Sequence, residues 1–146
     1  MSINVLFLCT GNYYRSRFAE ILFNTLAARE SLDAHATSRG VATELGVDNE
    51  GPISTHTLKR LRHLKVKDDS ALRFPKQVED QDIRNATLII ALDESEHRAL
   101  IQDRYPEWAN RVEYWNVADL WAATPEEALP IIEEQVRDLI DRLKHV

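Results

Sequence analysis

Short apolar runs separated by helical patterns are the feature that most limits how this chain can fold. "NVLFLC" (residues 4–9) and "ATLIIALD" (residues 86–93) are nearly uninterrupted apolar stretches, which is typical of strands covered on both faces. After the first run, apolar residues recur at helical spacing from Ser16 to about Arg29. Buried strands that alternate with helices predict an α/β domain built on a parallel sheet.

The rest of the chain continues this alternation. Two more strands are predicted at residues 33–41 and 111–117, and three more helices at residues 54–64, 95–105 and 124–146. Thr124 is the N-cap candidate of the last helix, and the polar stretch 66–82 is predicted to be a long surface loop. Parallel sheets bind ligands at the carboxyl ends of their strands. Cys9 and Asp119 follow the first and fourth predicted strands, so we expect them on one rim of the sheet.

Length and charge restrict the class of protein. The 146 residues are enough for one domain with a real core, and we expect a single domain over residues 1–146. The net charge of −6 argues against binding of nucleic acid, because a phosphate backbone repels such a surface. A small, locally positive pocket for one phosphate is compatible with this charge. The pattern says nothing about oligomeric state.

The cysteine, histidine and apolar content bears on the cellular location of the protein and on whether it holds a metal. Cys9 is the only cysteine, so no internal disulfide can form. No stretch approaches the ~20 apolar residues that span a bilayer, and the N-terminus lacks a basic region before an apolar one. We therefore expect a cytoplasmic protein with no membrane partner. The histidines are scattered, and neither a metal nor another cofactor is predicted.

The loop after the first strand carries the strongest chemical signal. Cys9 is followed by "TGNYY", then Arg15 and a helix. Gly11 and Asn12 tolerate the positive φ that curls a loop so that its backbone N–H groups point inward. The start of a helix attracts an anion there, and the guanidinium of Arg15 can hold two phosphate oxygens. Helix N-termini and nearby cations also favour thiolate over thiol, and Ser16 can donate a hydrogen bond to the sulfur.

A purely structural interpretation of the same residues is also open. Buried, inert cysteines are common in protein cores, and Arg15 would then be an exposed charge at the start of a helix. Trp108 and Trp115 are interpreted in this structural way, as core or edge packing. The strand, loop and helix around Cys9 favour the phosphate-binding interpretation.

Four segments of the chain resemble the low-molecular-weight protein tyrosine phosphatases. One is "TLIIALDES" (residues 87–95), which is similar to the family's strand ending in M-D through Leu92 and Asp93. The stretch "CTGNYYRS" (residues 9–16) is similar to the family loop C-x-G-N-x-C-R-S, and "HATSRG" is similar to its S-A-G segment through Ser38 and Gly40. The stretch "WNVADLW" (residues 115–121) is similar to the family's aspartate loop, with Asp119 at the aspartate. The resemblance covers nearly the whole chain.

This resemblance implies a three-layer fold with a four-stranded parallel sheet and helices on both faces. It implies that Cys9 is the nucleophile, that Arg15 holds the transferred group, and that Asp119 is the general acid and then the base. The substrate would be a phosphorylated protein or a small phosphomonoester. The substrate-binding residues it implies are Thr10, Gly11, Asn12, Tyr13, Tyr14, Ser16 and Trp121.

The chain departs from the family pattern at informative positions. Tyr14 stands where the family often has a second cysteine, Leu120 replaces the proline after the aspartate, and no histidine matches the family's central loop in "SALRF" (residues 70–74). Alternatives therefore stay open. One is an arsenate reductase served by an external thiol, and another is a phosphate-binding regulatory module with weak turnover. Phosphoarginine is conceivable in place of phosphotyrosine as the substrate.

Overall fold

Four parallel strands form one sheet at the centre of the structure. The structure, a computed structural model, describes residues 2–67 and 73–145. The strands are β1 (Ile3–Cys9), β2 (Ala34–Gly40), β3 (Leu88–Ala91) and β4 (Glu113–Tyr114), in the order β2-β1-β3-β4. Every pair of neighbours is parallel. The predicted parallel α/β architecture is confirmed.

Helices cover both faces of this sheet. Within the described residues they are α1 (Arg15–Arg29), α2 (Thr55–His63), α3 (Asp80–Asn85), α4 (Glu94–Arg104) and α5 (Pro125–Lys144). Because successive side chains of a strand point to opposite faces of the sheet, β1 contributes side chains to two hydrophobic clusters, one on each face. Phe7 packs with residues of α1, α2 and α5 such as Phe18, while Leu6 packs with residues of α3 and α4 such as Ile101. The uninterrupted apolar run of β1 is explained by this burial on both faces.

The last helix begins where its sequence predicts. Thr124 accepts a hydrogen bond from the backbone N–H of Glu127, and the Glu127 carboxylate accepts one in return from the Thr124 backbone. This capping box satisfies donors that the first turn leaves free. Pro125 occupies the first turn, where its missing N–H costs nothing, and Pro130 lies inside the helix.

Two predictions of local structure are corrected. The long surface loop predicted over residues 66–82 contains the start of α3, a short polar helix without apolar periodicity. Residues 68–72 of that loop lie outside the described residues. The fourth strand is shorter than predicted, because a 3₁₀ turn (Pro106–Arg111) occupies its expected start and β4 pairs with β3 through only two residues.

The carboxyl ends of β1 and β2 meet at one edge of the sheet. Cys9 is paired with Gly40 in the register of these strands. Beyond the register, the Val41 N–H donates to the Cys9 carbonyl at 2.9 Å and the Ala42 N–H donates to the Thr10 carbonyl at 3.0 Å. The loop that leaves β1 is therefore attached to the chain that leaves β2.

In the part of the chain that the structure describes, no helix is both long enough and apolar enough to cross a membrane.

Gly40 permits this attachment, and its replacement should disturb it. A Cβ atom at Gly40 would lie 2.8 Å from the Thr10 carbonyl oxygen and 2.6 Å from a methyl group of Thr43. We expect Gly40→Ala to lower the free energy of unfolding by about 1–3 kcal/mol, because backbone atoms must shift to admit the methyl group. Urea denaturation of the purified variant measures this loss.

Gly46→Ala is the matched control. The added Cβ would lie 2.8 Å from the side-chain amide of Asn49, which can rotate away, and 3.7 Å from the Gly11 Cα atom, which is ordinary contact. A Gly40→Ala loss no larger than that of Gly46→Ala would show that the close approach at Gly40 does not constrain the loop.

Candidate active site

The nucleophile candidate lies at the bottom of a cavity at the carboxyl edge of the sheet. Cys9 ends β1, and the chain then turns through residues 10–14 into α1. The thiol is 3 % exposed and opens into a cavity of about 260 Å³. Its Sγ atom lies 2.9 Å from the Ser16 Oγ atom. The sulfur is therefore buried but not enclosed by the aliphatic core, since a polar cavity lies above it.

Asn12 sets the curvature of the loop. It is Asn12, and not Gly11, that takes a left-handed backbone conformation, with φ of 53°. The Asn12 Nδ2 atom donates to the hydroxyls of Ser16 and Ser38, each at 2.9 Å. Because Ser16 accepts this bond, its own proton is available to the Cys9 sulfur. The amide thus stabilises the loop and orients the hydroxyl beside the thiol.

Arg73 holds Asn12 from the other side. Its Nη1 atom donates to the Asn12 Oδ1 atom at 3.0 Å. Its Nη2 atom donates to Ser38 Oγ at 3.0 Å and contacts the carboxylate of Glu20 at 3.1 Å. The predictions did not include Arg73, which lies in the stretch where no histidine matched the family. An arginine from that stretch reaches the loop instead.

Arg15 is a buried cation at the first position of α1. It is 2 % exposed, and it donates to the Val117 carbonyl and to the Glu96 carboxylate, each at 2.8 Å. Burial favours a neutral guanidinium, but the negative charges of Cys9 and Glu96 outweigh that cost and raise the pKa of Arg15 above its ordinary value. Arg15 is therefore a permanent positive charge at the cavity, and not the exposed helix-start residue of the structural interpretation.

Glu96 was not among the site residues predicted from the sequence, yet it contacts two of them. One oxygen of its carboxylate accepts hydrogen bonds from Arg15, from the Thr10 hydroxyl and from the buried ring of His97. His97 Nδ1 accepts from the Asp93 N–H at 3.1 Å, which leaves the ring proton on Nε2, the atom that faces Glu96. Burial opposes ionisation, yet the hydrogen bonds from His97 and Arg15 hold the pKa of Glu96 well below its usual range. The available signal was an acidic residue in the first turn of a helix that follows a buried strand.

Asp119 lines the same cavity as Cys9, from the loop between β4 and α5. Its Oδ2 atom is 3.5 Å from the Arg15 guanidinium, and its Oδ1 atom accepts from the Leu120 N–H at 2.8 Å. The N–H groups of Ala122 and Ala123 both donate to the Asp119 carbonyl, at 2.9 Å and 3.0 Å. These two bonds close the turn in the absence of the family's proline at position 120.

Aromatic side chains line the mouth of the cavity. The Tyr13 hydroxyl donates to the Glu50 carbonyl at 2.6 Å, which holds this ring at the wall. Trp121 is 81 % exposed and stands beside Asp119. Tyr14 also lines the cavity, although it is almost fully buried.

The predicted site residues fall into two groups. Those that line the cavity are Cys9, Gly11, Tyr13, Tyr14, Arg15, Asp119 and Trp121. Behind the loop, the Asn12 and Ser16 side chains support the thiol, and the Thr10 hydroxyl is bound to Glu96. Over residues 2–67 and 73–145, no group of three or more His, Cys, Asp or Glu side chains is placed to hold a metal ion.

The amino-acid sequence of the chain matches one known protein family. The family model described as "Low molecular weight phosphotyrosine protein phosphatase" matches residues 4–146. Since this is nearly the whole chain, the match rests on the complete fold as well as on the loop.

Individual relatives agree with the family model. The chain is 37 % identical over 93 residues to the low molecular weight protein-tyrosine-phosphatase YfkJ of Bacillus subtilis, which covers 62 % of this chain and 56 % of that protein. It is 26 % identical over 112 residues to a protein-arginine-phosphatase of the same organism, covering 75 % of this chain and 68 % of that one. The crystal structure of YfkJ superposes with a TM-score of 0.84 over 99 % of this chain and 96 % of that chain, at 24 % identity. This last similarity concerns the fold alone.

The ion pair between Glu96 and Arg15 predicts a pH-dependent contribution to stability. The pKa of Glu96 is lower in the folded than in the unfolded chain. Ionised Glu96 therefore contributes its full stabilisation above the unfolded value, near about pH 4.3, and loses it as the pH falls toward the folded value. We expect Glu96→Gln to lower the free energy of unfolding by about 1–3 kcal/mol at pH 7. Urea denaturation between pH 7 and pH 3 should show the difference shrinking below about pH 4.3.

Glu94→Gln is the control for this measurement. Glu94 lies on the same helix and pairs with Arg98 at 2.9 Å, but both side chains are well exposed, so its loss should cost only a few tenths of a kcal/mol. If Glu96→Gln and Glu94→Gln have equal effects at pH 7, Glu96 does not anchor Arg15.

Proposed function

Because this chain belongs to the low-molecular-weight phosphotyrosine protein phosphatase family, we propose that it hydrolyses phosphomonoesters through a phosphocysteine at Cys9, with phosphotyrosine in proteins as substrate. One observation carries the proposal. A thiol, a buried guanidinium and a carboxylate, from Cys9, Arg15 and Asp119, meet at a single cavity of about 260 Å³. This is the combination that a nucleophilic phosphoryl transfer needs.

In the first step, the Cys9 thiolate attacks phosphorus and forms the S–P bond while the P–O bond to the leaving group breaks. The leaving oxygen takes a proton from Asp119, which becomes a carboxylate. The presence of Asp119 and Cys9 in the lining of one cavity supports this arrangement. A hydrogen bond from the Ser16 hydroxyl, 2.9 Å from the sulfur, would stabilise the thiolate before attack.

In the second step, water attacks phosphorus and gives its proton to Asp119, and the S–P bond breaks. Inorganic phosphate leaves, and both the Cys9 thiolate and the protonated Asp119 are restored. The same carboxyl group thus acts first as acid and then as base.

Arg15 supplies the positive charge for both steps. Val117 and Glu96 each engage one of its five N–H donors. The Asp119 carboxylate lies 3.5 Å from the guanidinium, and the oxygens of the transferred group would compete with it for the remaining donors. Anchoring a guanidinium in this way before the substrate binds removes a reorganisation cost from the reaction. The Glu96 carboxylate is therefore assigned a positioning function, because its own contacts are with Arg15, Thr10 and His97.

The walls of the cavity support an aromatic substrate. Tyr13 is held in place by its bond to Glu50, and Trp121 presents an exposed ring at the mouth. Ring contacts of this kind contribute ~0.5–1.5 kcal/mol beyond area burial. A phenol is also a leaving group that benefits from protonation by Asp119, since its ordinary pKa is about 10.

Phosphoarginine is the second candidate substrate. It is favoured by the similarity to a protein-arginine-phosphatase over 75 % of this chain. The Asp119 carboxylate, which is partly exposed at the cavity, is chemically suited to a cationic guanidinium leaving group. The two candidates share the Cys9 nucleophile and differ in what the walls must recognise.

The nucleophile and the general acid are tested with p-nitrophenyl phosphate. We expect Cys9→Ser to abolish release of p-nitrophenol while phosphate still binds, because the serine hydroxyl is not ionised at neutral pH. We expect Asp119→Ala to lower kcat by about 10²–10⁴-fold, since the variant lacks the proton donor and the base. Steady-state kinetics and calorimetric titration with phosphate measure these effects.

Asp141→Ala, an exposed position on α5 far from the cavity, is the control and should match the wild type. A wild type that binds phosphate without turnover would instead indicate a phosphate-binding module. A wild type that reduces arsenate only with an added thiol would indicate the reductase. Either result would overturn the proposed hydrolase.

Trp121 separates the two substrates. With peptides of one sequence that carry either phosphotyrosine or phosphoarginine, we expect Trp121→Ala to raise KM for the phosphotyrosine peptide about two- to tenfold. We expect little change in kcat for that peptide and little change in KM for the phosphoarginine peptide. Ile131→Ala, which removes an exposed apolar side chain of α5, is the control. A preference of the wild type for the phosphoarginine peptide would reverse the substrate assignment.

A further inference from the structure

Tyr14 carries a buried hydroxyl that has no partner among the described residues. The residue is 5 % exposed, and its hydroxyl makes no hydrogen bond within residues 2–67 and 73–145. Its backbone is firmly held, since its carbonyl accepts from the Thr57 hydroxyl at 3.0 Å and from the Phe18 N–H at 3.1 Å. The edge of the ring packs against His56, with the ring centroids 6.4 Å apart. The position of the phenol is therefore set by the fold.

An unpaired hydroxyl at this position is unfavourable by itself. Burying a hydroxyl without a partner costs free energy, whereas phenylalanine would fill the same space without that cost. Tyr14 lines the same cavity as Cys9, Arg15 and Asp119. A buried donor with no partner among the described residues, on a residue that lines this cavity, points to a role in the chemistry of the cavity.

Burial is the main reason why the Tyr14 phenol stays protonated. Asp119, Arg15 and Glu126 act on it electrostatically, and His56 lies at the edge of the ring. Burial and the Asp119 carboxylate raise the pKa of Tyr14 to about 12. Tyr14 is therefore a hydrogen-bond donor, and not a phenolate, throughout the neutral range.

Asp119 is the acceptor that loses a partner when substrate binds. Its Oδ2 atom lies 3.5 Å from the Arg15 guanidinium, and its Oδ1 atom accepts a hydrogen bond from the Leu120 N–H. A phosphoryl group bound to Arg15 competes for the same donors. The Tyr14 hydroxyl belongs to a residue in the lining of the same cavity and has no other partner among the described residues.

We infer that, in the phosphorylated enzyme, the Tyr14 hydroxyl donates a hydrogen bond to the Asp119 carboxylate. This inference rests on the proposed hydrolase function. A donor to an ionised carboxylate stabilises the charged form, which is the form that accepts the proton of water in the second step. Tyr14 is thus a positioning residue for hydrolysis of the phosphocysteine, at the place where the family often has a second cysteine.

The inference is tested by measuring the two chemical steps separately in Tyr14→Phe. Rapid mixing with p-nitrophenyl phosphate gives the rate of phosphoenzyme formation, and chemical quenching of radiolabelled phosphoenzyme gives the rate of its hydrolysis. We expect hydrolysis to slow about tenfold, which corresponds to about 1.4 kcal/mol, and formation to change by less than about twofold. Tyr114→Phe, which removes the hydroxyl of a tyrosine on β4 that bonds to Ala109, should leave both rates unchanged.

Two further measurements distinguish positioning from a general structural effect. The acidic limb of the pH profile for phosphoenzyme hydrolysis should move upward by up to about one unit in Tyr14→Phe, because the Asp119 carboxylate loses a donor. The melting temperature of Tyr14→Phe should equal or exceed that of the wild type, because an unpaired buried hydroxyl has been removed. In an Asp119→Asn background, Tyr14→Phe should slow hydrolysis no further.

The outcomes separate this inference from the function on which it rests. If the wild type forms no phosphoenzyme, the proposed function and the assignment of Tyr14 fail together. If the wild type forms it and Tyr14→Phe hydrolyses it at the wild-type rate, Tyr14 does not act on Asp119 and only this inference fails. Equal losses in both steps together with a lower melting temperature would show that Tyr14 is structural, and would also overturn it.

Discussion

A buried arginine is the constraint around which the candidate site is built. Arg15 begins α1, yet its guanidinium is bound to Glu96 on α4 and to the Val117 carbonyl on the loop after β4. An unpaired charge in this environment would be strongly unfavourable, so the three segments must approach one another. The cation that prepares the cavity for an oxyanion also holds together the carboxyl ends of β1, β3 and β4.

The loop beneath the phosphate position is supported by a second network. Asn12 takes a left-handed conformation that is costly for a residue with a side chain. Hydrogen bonds to Ser16 and Ser38, and from Arg73, offset that cost. Because the same amide also bonds to the hydroxyl beside the Cys9 sulfur, the curvature of the loop and the environment of the thiol are linked through one side chain.

The three acidic or phenolic groups around Arg15 differ in what surrounds them. One oxygen of the Glu96 carboxylate accepts three hydrogen bonds behind the loop, which keeps the group ionised and makes it an anchor. Among the described residues, the Asp119 carboxylate accepts one backbone hydrogen bond and lies 3.5 Å from the guanidinium. Within the same residues, the Tyr14 hydroxyl has no acceptor. This asymmetry, and not residue type, separates anchoring groups from those proposed to take part in proton transfer.

The local pattern of the sequence was enough to predict the strand, loop and helix around Cys9, the capped final helix and the parallel sheet, because periodicity and capping act between near neighbours. The predicted rim, with Cys9 and Asp119 on one side of the sheet, followed from the rule for parallel strands. Only the tertiary structure decided that Glu96 and Arg73 support the loop, and that the Tyr14 hydroxyl lacks a partner among residues 2–67 and 73–145. The contacts of Glu96 and Arg73 join side chains about 60 to 80 positions apart in the chain. Such contacts depend on how distant segments pack, and they produce no periodic pattern in the sequence.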